Sequence, residues 1–244
     1  MLILIAFSIL VATLICVVVN NKNKYIIISR VKQLESIKKK DQKRIKGWIK
    51  IEGTDIDYPV IQYNEDMENV DYLYVWKNTG DEKLENHFKI YGHNVLNVSS
   101  KPLIRNKDHT GFEQLAAFIY YSEAKNNQFV QYTVGGKDYL YKIYAVTFAL
   151  DGDDGAYLKT KKEKKKYINK VKKKSLFRYN VDVNEYDKLM SLITCTRRFG
   201  ADYLYAQIIV DARLVRKNES IRHYKVKTSK DYDKLLGGKV KWKK

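Results

Sequence analysis

The first nineteen residues, Met1 to Val19 (MLILIAFSILVATLICVVV), carry no charged side chain, and Ser8 and Thr13 are their only polar interruptions. About twenty apolar residues are what a helix needs to cross the hydrocarbon core of a bilayer. The stretch is long for the core of a signal peptide and lacks a clear small-x-small cleavage site, so residues 1–20 are expected to be an uncleaved transmembrane anchor. Cys16 lies inside it as a small apolar side chain. Any globular domain must come from the rest of the chain, whose apolar content is enough for one sizeable core or two small ones. Two cysteines exclude a disulfide framework and a cysteine-cluster metal site. The net charge of +18 points to an anionic neighbour such as nucleic acid, a lipid surface or an anionic wall polymer, and does not choose among them.

Beyond the anchor, residues 21–45 place Ile28, Val31 and Leu34 at roughly helical spacing among charges, the pattern of a helical stalk that holds a domain off the membrane. From Gly47 the period changes to two. GWIKIEGTDIDYPVIQY, residues 83–92, 129–133 and 138–149 read as strands, the last two joined by a Gly135-Gly136 hairpin turn. Residues 187–194 (DKLMSLIT) and 203–215 (YLYAQIIVDARLV) are the strongest strand signals. Residues 111–118 predict a short helix, and the lysine-rich stretch 157–175 an amphipathic surface helix with Tyr167, Ile168 and Val171 on its inner face. Residues 216–244 are basic and poorly periodic, the texture of a mobile or loosely packed tail. The sum is a mainly β domain over residues 46–215, most simply a closed barrel or sandwich.

Cys195 is the only cysteine outside the anchor, at the end of an apolar strand (SLITC) that opens into a charged loop. A lone cysteine is more often inert than catalytic, but the adjacent Arg197 and Arg198 favour the thiolate, the nucleophilic form. Such a nucleophile calls for a histidine. His93, in IYGHN, stands where a strand runs into a glycine turn, at a rigid rim. His87 reads as a surface residue of the same strand, His109 lies in a polar loop and His223 in the tail.

YGHN about a hundred residues before L-x-T-C, behind a single N-terminal anchor, resembles the sortases, specifically class B. Gly47–Ile51 and Thr54–Val60 are similar to the opening strands of that family, Asn69 with Tyr72-Leu73 to its substrate-groove segment, Tyr157–Thr160 and the following helix to its long loop before the cysteine strand, and Val210–Val215 to its closing strand. The resemblance covers about residues 45–215. It implies a sortase-type closed β-barrel with short helices and a cysteine transpeptidase of Gram-positive type. Cys195 would cleave a Thr-Gly type bond in the sorting signal of a secreted protein and form a thioester. His93 would act as general acid and then base, and the acyl group would pass to an amine of peptidoglycan precursor or a pilin lysine, in cell-wall anchoring or pilus assembly. No metal or organic cofactor is implied. The resemblance also implies an extracellular catalytic domain on a single-pass anchor, against the charge bias of Lys22, Lys24 and Arg30, which follow the apolar run with nothing basic before it.

The family uses a third residue, an arginine on the strand after the cysteine. Registering the closing strand on Val210–Leu214 puts Gln207 there. Either Arg197 or Arg198 reaches back to supply the guanidinium, or Gln207 serves as a neutral donor in a slower enzyme. Thr194, Asn69 and Leu73 complete the expected substrate-binding set. Residues 74–88 depart from the family's usual stretch before its histidine strand, and a tail follows Val215 where class B chains normally stop. The competing expectation is a catalytically impaired sortase-fold scaffold at the membrane. Nucleic acid is not expected as a partner, because no recognisable module or aromatic-basic interleaving is present.

Overall fold

Apolar side chains on alternate residues make each strand half of a pleated wall, and here the wall closes on itself. The computed structural model describes residues 24–40, 44–63, 73–76, 84–94, 111–155 and 157–237. The strands are β1 (Ile45–Ile51), β2 (Asp57–Gln62), β3 (Leu73–Val75), β4 (His87–Gly92), β5 (Phe129–Val134), β6 (Lys137–Ala149), β7 (Phe177–Tyr179), β8 (Leu189–Cys195), β9 (Gln207–Leu214) and β10 (Val226–Thr228). Eight of them form a closed barrel in the order β1-β2-β3-β4-β8-β9-β6-β5, with β5 returning to β1. The pairs β2–β3 and β4–β8 are parallel, so crossovers enter the barrel there. Closure leaves no exposed edge among these strands. The expected β-barrel is what forms, and the two-residue hairpin between β5 and β6 turns on Gly135 and Gly136, both at positive φ, with Val134 paired to Lys137.

Inward residues such as Ile49, Val60, Phe88, Ile90, Leu192 and Val210 fill the interior, each no more than 2% exposed. The helix expected over 111–118 is a 3-10 turn, Glu113–Ile119, followed by α2 (Tyr121–Asn126). The lysine-rich helix α3 (Lys161–Lys174) starts at a capping box in which the Thr160 hydroxyl accepts from the Glu163 amide and the Glu163 carboxylate from the Thr160 amide. It buries Ile168 and Val171 against the outside of the barrel.

Two expectations fail at the domain's margins. Among the described residues of the segment read as a helical stalk, 21–45, the helix is α1 (Val31–Lys38). Residues 24–30, rich in β-branched isoleucine that resists helix, form no helix and lie along the barrel. Tyr25 packs on Phe129, Ile28 exchanges backbone bonds with the Gln131 side chain, and Arg30 forks onto Asp57. The tail is not loose as far as Gly237. Tyr224 places its hydroxyl 2.8 and 2.7 Å from the carbonyls of Gln128 and Ile143, β10 pairs with β7, and α4 (Tyr232–Leu236) sets the Tyr232 hydroxyl on the Ile119 carbonyl. Among the described residues no helix is long and apolar enough to cross a membrane, and the expected anchor, residues 1–20, lies outside the described residues.

Candidate active site

The parallel pairing of β4 with β8 runs without a break from His87↔Leu189 to Tyr91↔Ile193. β4 ends at Gly92 and β8 at Cys195, so His93 follows its strand directly at the same end of the barrel as the cysteine. On the other side β8 meets β9 antiparallel, with Cys195 opposite Gln207. Three residues far apart in sequence thus stand at one rim of the barrel. Cys195 and His93 are both exposed, the cysteine as a free thiol.

The turns that present them are tightly tied. The Thr194 hydroxyl donates to the Gly92 carbonyl at 2.8 Å, and the Asn94 amide group donates to the Cys195 carbonyl at 2.9 Å. The Phe112 amide donates to the His93 carbonyl at 2.7 Å, and the Thr196 amide to the Ala206 carbonyl at 2.8 Å. Gly92 is required by space: a Cβ there would come within 2.5 Å of the Leu73 side chain and 2.8 Å of the Phe112 ring. The glycine in YGHN therefore lets β4 press against the core one residue before the histidine.

Burial pushes the Cys195 thiol above its ordinary pKa, and the charge of Arg197 pulls the other way. Burial, then the charges of Cys195 and Tyr63, push the Tyr74 phenol up to about 12, so it is a neutral donor at physiological pH. Its ring lies 6.0 Å from that of His93 and stacks on Tyr91 at 5.7 Å, within a wall that includes Tyr63 and Trp76. Alternating β4 residues His87, Lys89 and Tyr91 share the outer face, and on β8 Ser191, Ile193 and Cys195 share it too. Ala149, Ile193 and Ile209 form an apolar floor there, with Tyr91 packed against it. Beside that floor lies a cavity of about 520 Å³ between residues 147–155, α3 and the 202–205 turn.

Several expected residues sit elsewhere than the sequence implied. Arg198 does not reach back to the thiol: its Nε donates to the Leu236 carbonyl at 2.6 Å, which holds it against α4. Arg197 is exposed and donates to the Leu204 carbonyl at 2.8 Å, so it closes its own loop. Leu73, expected at a substrate groove, is 1% exposed and part of the interior, because its neighbours on β2 and β4 turn that face inward. Thr194 is buried and spends its hydroxyl on Gly92, so it braces the site rather than facing solvent. Asn69 lies outside the described residues. Gln207 stays opposite the cysteine, and its Oε1 is buried with no hydrogen-bond partner among the described residues.

His87, read as a surface residue, is 3% exposed. Its Nδ1 accepts the Leu158 amide at 3.4 Å, so Nε2 carries the proton and donates to the Ser191 hydroxyl at 3.0 Å. Ser191 and Tyr167 in turn donate to Asp211 at 2.6 and 2.8 Å. Burial, then the charges of Lys89 and Lys164, hold His87 down to about 3. Burial pushes Asp211 up to about 6. This serine, histidine and aspartate are not a nucleophilic triad, since the carboxylate takes the serine proton instead of orienting the imidazole, and the hydroxyl is buried. The sequence reading missed Tyr74, Asn94 and this buried row. The period-two pattern of polar residues in HFKIYGH was the available signal.

Residues 49–215 match the family model described as a Sortase domain. The chain is 25% identical over 199 residues to Sortase B of Staphylococcus aureus, covering 75% of each chain. It is 26% identical over 187 residues to Sortase B of Listeria monocytogenes, covering 70% of each. The crystal structure of Clostridium perfringens sortase B superposes with a TM-score of 0.59 at 25% identity, over 75% of this chain and 99% of that one.

Proposed function

Because the chain belongs to the class B sortases, a family of cysteine transpeptidases acting on sorting signals and amine acceptors, we propose that Cys195 is its nucleophile and His93 its general acid and base. The thiolate adds to the carbonyl of a Thr-Gly type bond in a C-terminal sorting signal. The C–N bond breaks, the departing amine takes a proton from His93, and a thioester remains on Cys195. An incoming amine then loses its proton to His93, attacks the thioester carbonyl and releases the thiol. The amine belongs to peptidoglycan precursor or a pilin lysine. Residues 1–20 anchor the enzyme, with the domain outside the cell.

The observation that supports this reading is the strand arrangement: Cys195 ends β8 opposite Gln207 on β9, and β4, paired parallel to β8, ends one residue before His93. Gln207 serves as the neutral donor to the oxyanion, since the Arg198 guanidinium is engaged by α4. The raised thiol agrees with a nucleophile that needs a base to take its proton. The test is turnover of fluorogenic peptides of Asn-Pro-x-Thr and Pro-Pro-x-Thr-Gly type, with and without an amine acceptor. Wild-type protein is expected to cleave and to transfer to the amine, and Cys195→Ala to do neither. Cleavage that survives in Cys195→Ala would refute the assignment.

The Oε1 of Gln207, unpartnered among the described residues, favours one second reading, an impaired sortase that binds signal peptides without turning them over. That protein would bind the peptides, form no acyl-enzyme and be indifferent to thiol alkylation.

A further inference from the structure

We propose that Asp154 is a positioning residue of the transpeptidation: it latches the loop of residues 150–158 onto β4 and, through Tyr91, sets the aromatic wall that stands against His93. The proposal rests on the assignment of His93 and Cys195 above.

The three outward residues of β4, His87, Lys89 and Tyr91, hold this loop, and His93 follows directly after the strand. His87 accepts the Leu158 amide. Lys89 donates from Nζ to the Asp154 carboxylate at 2.9 Å, to the Asp154 carbonyl at 3.2 Å and to the Gly155 carbonyl. Tyr91 donates from its hydroxyl to the other carboxylate oxygen of Asp154 at 2.6 Å. The Lys89 side chain is 1% exposed, and the three acceptors that use its three protons all belong to the loop. If the loop lifts, that ammonium loses every one of these bonds together. Gly152 and Gly155 flank the latch at φ +74 and +79, conformations that cost glycine little, so the loop turns sharply around Asp153 and Asp154.

The latch bears on chemistry at two places. Tyr91, fixed by Asp154, stacks on Tyr74, whose ring stands 6.0 Å from His93. Residues 151–155 are also one wall of the 520 Å³ cavity, whose floor residues Ala149 and Ile209 continue to Ile193 on the strand of Cys195. Moving the loop changes the groove, and freeing Tyr91 changes what the imidazole rests against. These two effects separate kinetically: a lost wall weakens substrate binding, and a loosened imidazole slows proton transfer.

The experiment uses the full chain in detergent, with fluorogenic peptides of Asn-Pro-x-Thr type and amide hydrogen exchange of residues 150–158. Asp154→Asn keeps the shape and removes the charge. It is expected to speed exchange in the loop about tenfold or more and to raise KM about fivefold or more, with a smaller fall in kcat. Asp154→Glu keeps the charge and is expected to restore most of the KM. Tyr91→Phe removes one hydroxyl from an otherwise intact latch and is expected to lower kcat about threefold or more at nearly constant KM. Unchanged loop exchange in Asp154→Asn overturns the latch. Faster exchange with KM and kcat within about twofold of wild type makes Asp154 a purely structural contact and overturns the positioning role. Wild-type protein that cleaves no peptide overturns the catalytic reading on which the proposal stands, whereas unchanged kinetics in an active background overturn the proposal alone.

Discussion

Replacing Gln207 with arginine is expected to make the protein a faster enzyme. Gln207 lies opposite Cys195 on one side and opposite Ala149 on the other, so the larger side chain gains room over a methyl group. Its Oε1 makes no bond among the described residues, so little is lost there when the amide is removed. A neutral hydrogen bond contributes about 1 kcal/mol net and one from a charged donor about 1.5–3 kcal/mol. The difference, about 0.5–2 kcal/mol placed on a developing oxyanion, corresponds to about a 2- to 30-fold faster acylation. That is smaller than the factor of about 10² to 10³ expected when a donor is lost outright. The assay is single-turnover acylation with enzyme in excess over peptide, followed by intact mass, with melting curves to confirm folding. Gln207→Met, similar in size and without donors, should slow the same step about tenfold or more. If folded Gln207→Arg is no faster and Gln207→Met no slower, the side chain at 207 does not reach the oxyanion and the reasoning fails.

Gly92→Ala forces a methyl group to within 2.5 Å of Leu73 and should cost about 1–3 kcal/mol, read as a lower urea midpoint, with peptide turnover falling as the His93 turn shifts. Glu219→Ala strips the carboxylate from Arg213, which is 1% exposed, and from Lys142, leaving two buried cations; the loss should be about 3–5 kcal/mol by chemical denaturation. Stability should also fall with pH in two stages. His87 is held near 3 in the folded chain against 6.5 when unfolded, so the unfolded chain binds the extra proton and stability declines below about pH 6.5, while Asp211, raised to about 6 when folded, takes up a proton in the folded chain below about 6 and offsets much of that decline. Glu219, lowered to about 2 by its bonds to Arg213 and Lys142, adds stability that is present above 4.5 and lost as pH falls toward 2. Urea midpoints from pH 7.5 to 3 check both, and His87→Gln should remove the upper decline.

Much of this arrangement is legible in the sequence, because barrel and site both depend on local pattern. Alternation marks β4, β5, β6 and β8, the Gly135-Gly136 pair marks a hairpin, and YGHN and LITC each place a reactive side chain at a strand end. What escaped depends on what covers each surface. Alternation on β4 shows that His87, Lys89 and Tyr91 share a face, but not that the 150–158 loop and α3 bury the first two. A polar residue on an outer face was read as exposed, and the covering chain comes from more than sixty residues away. The basic tail hid its anchoring for a similar reason: Tyr224 and Val226 are single apolar contacts in a charged stretch, and their partners lie on β6, β7 and the Gln128 turn. Arg198 sits beside the cysteine in sequence, and only the position of α4 reveals where its guanidinium goes.

The most direct test of the central claim is intact-mass analysis of the protein after brief mixing with a sorting-signal peptide, followed by peptide mapping. The account predicts a mass increase equal to the peptide's N-terminal fragment, mapped to Cys195, discharged by an added amine and absent in both Cys195→Ala and His93→Ala. Signal peptide that is cleaved without an adduct on Cys195, or with an adduct that forms equally well in His93→Ala, would contradict it.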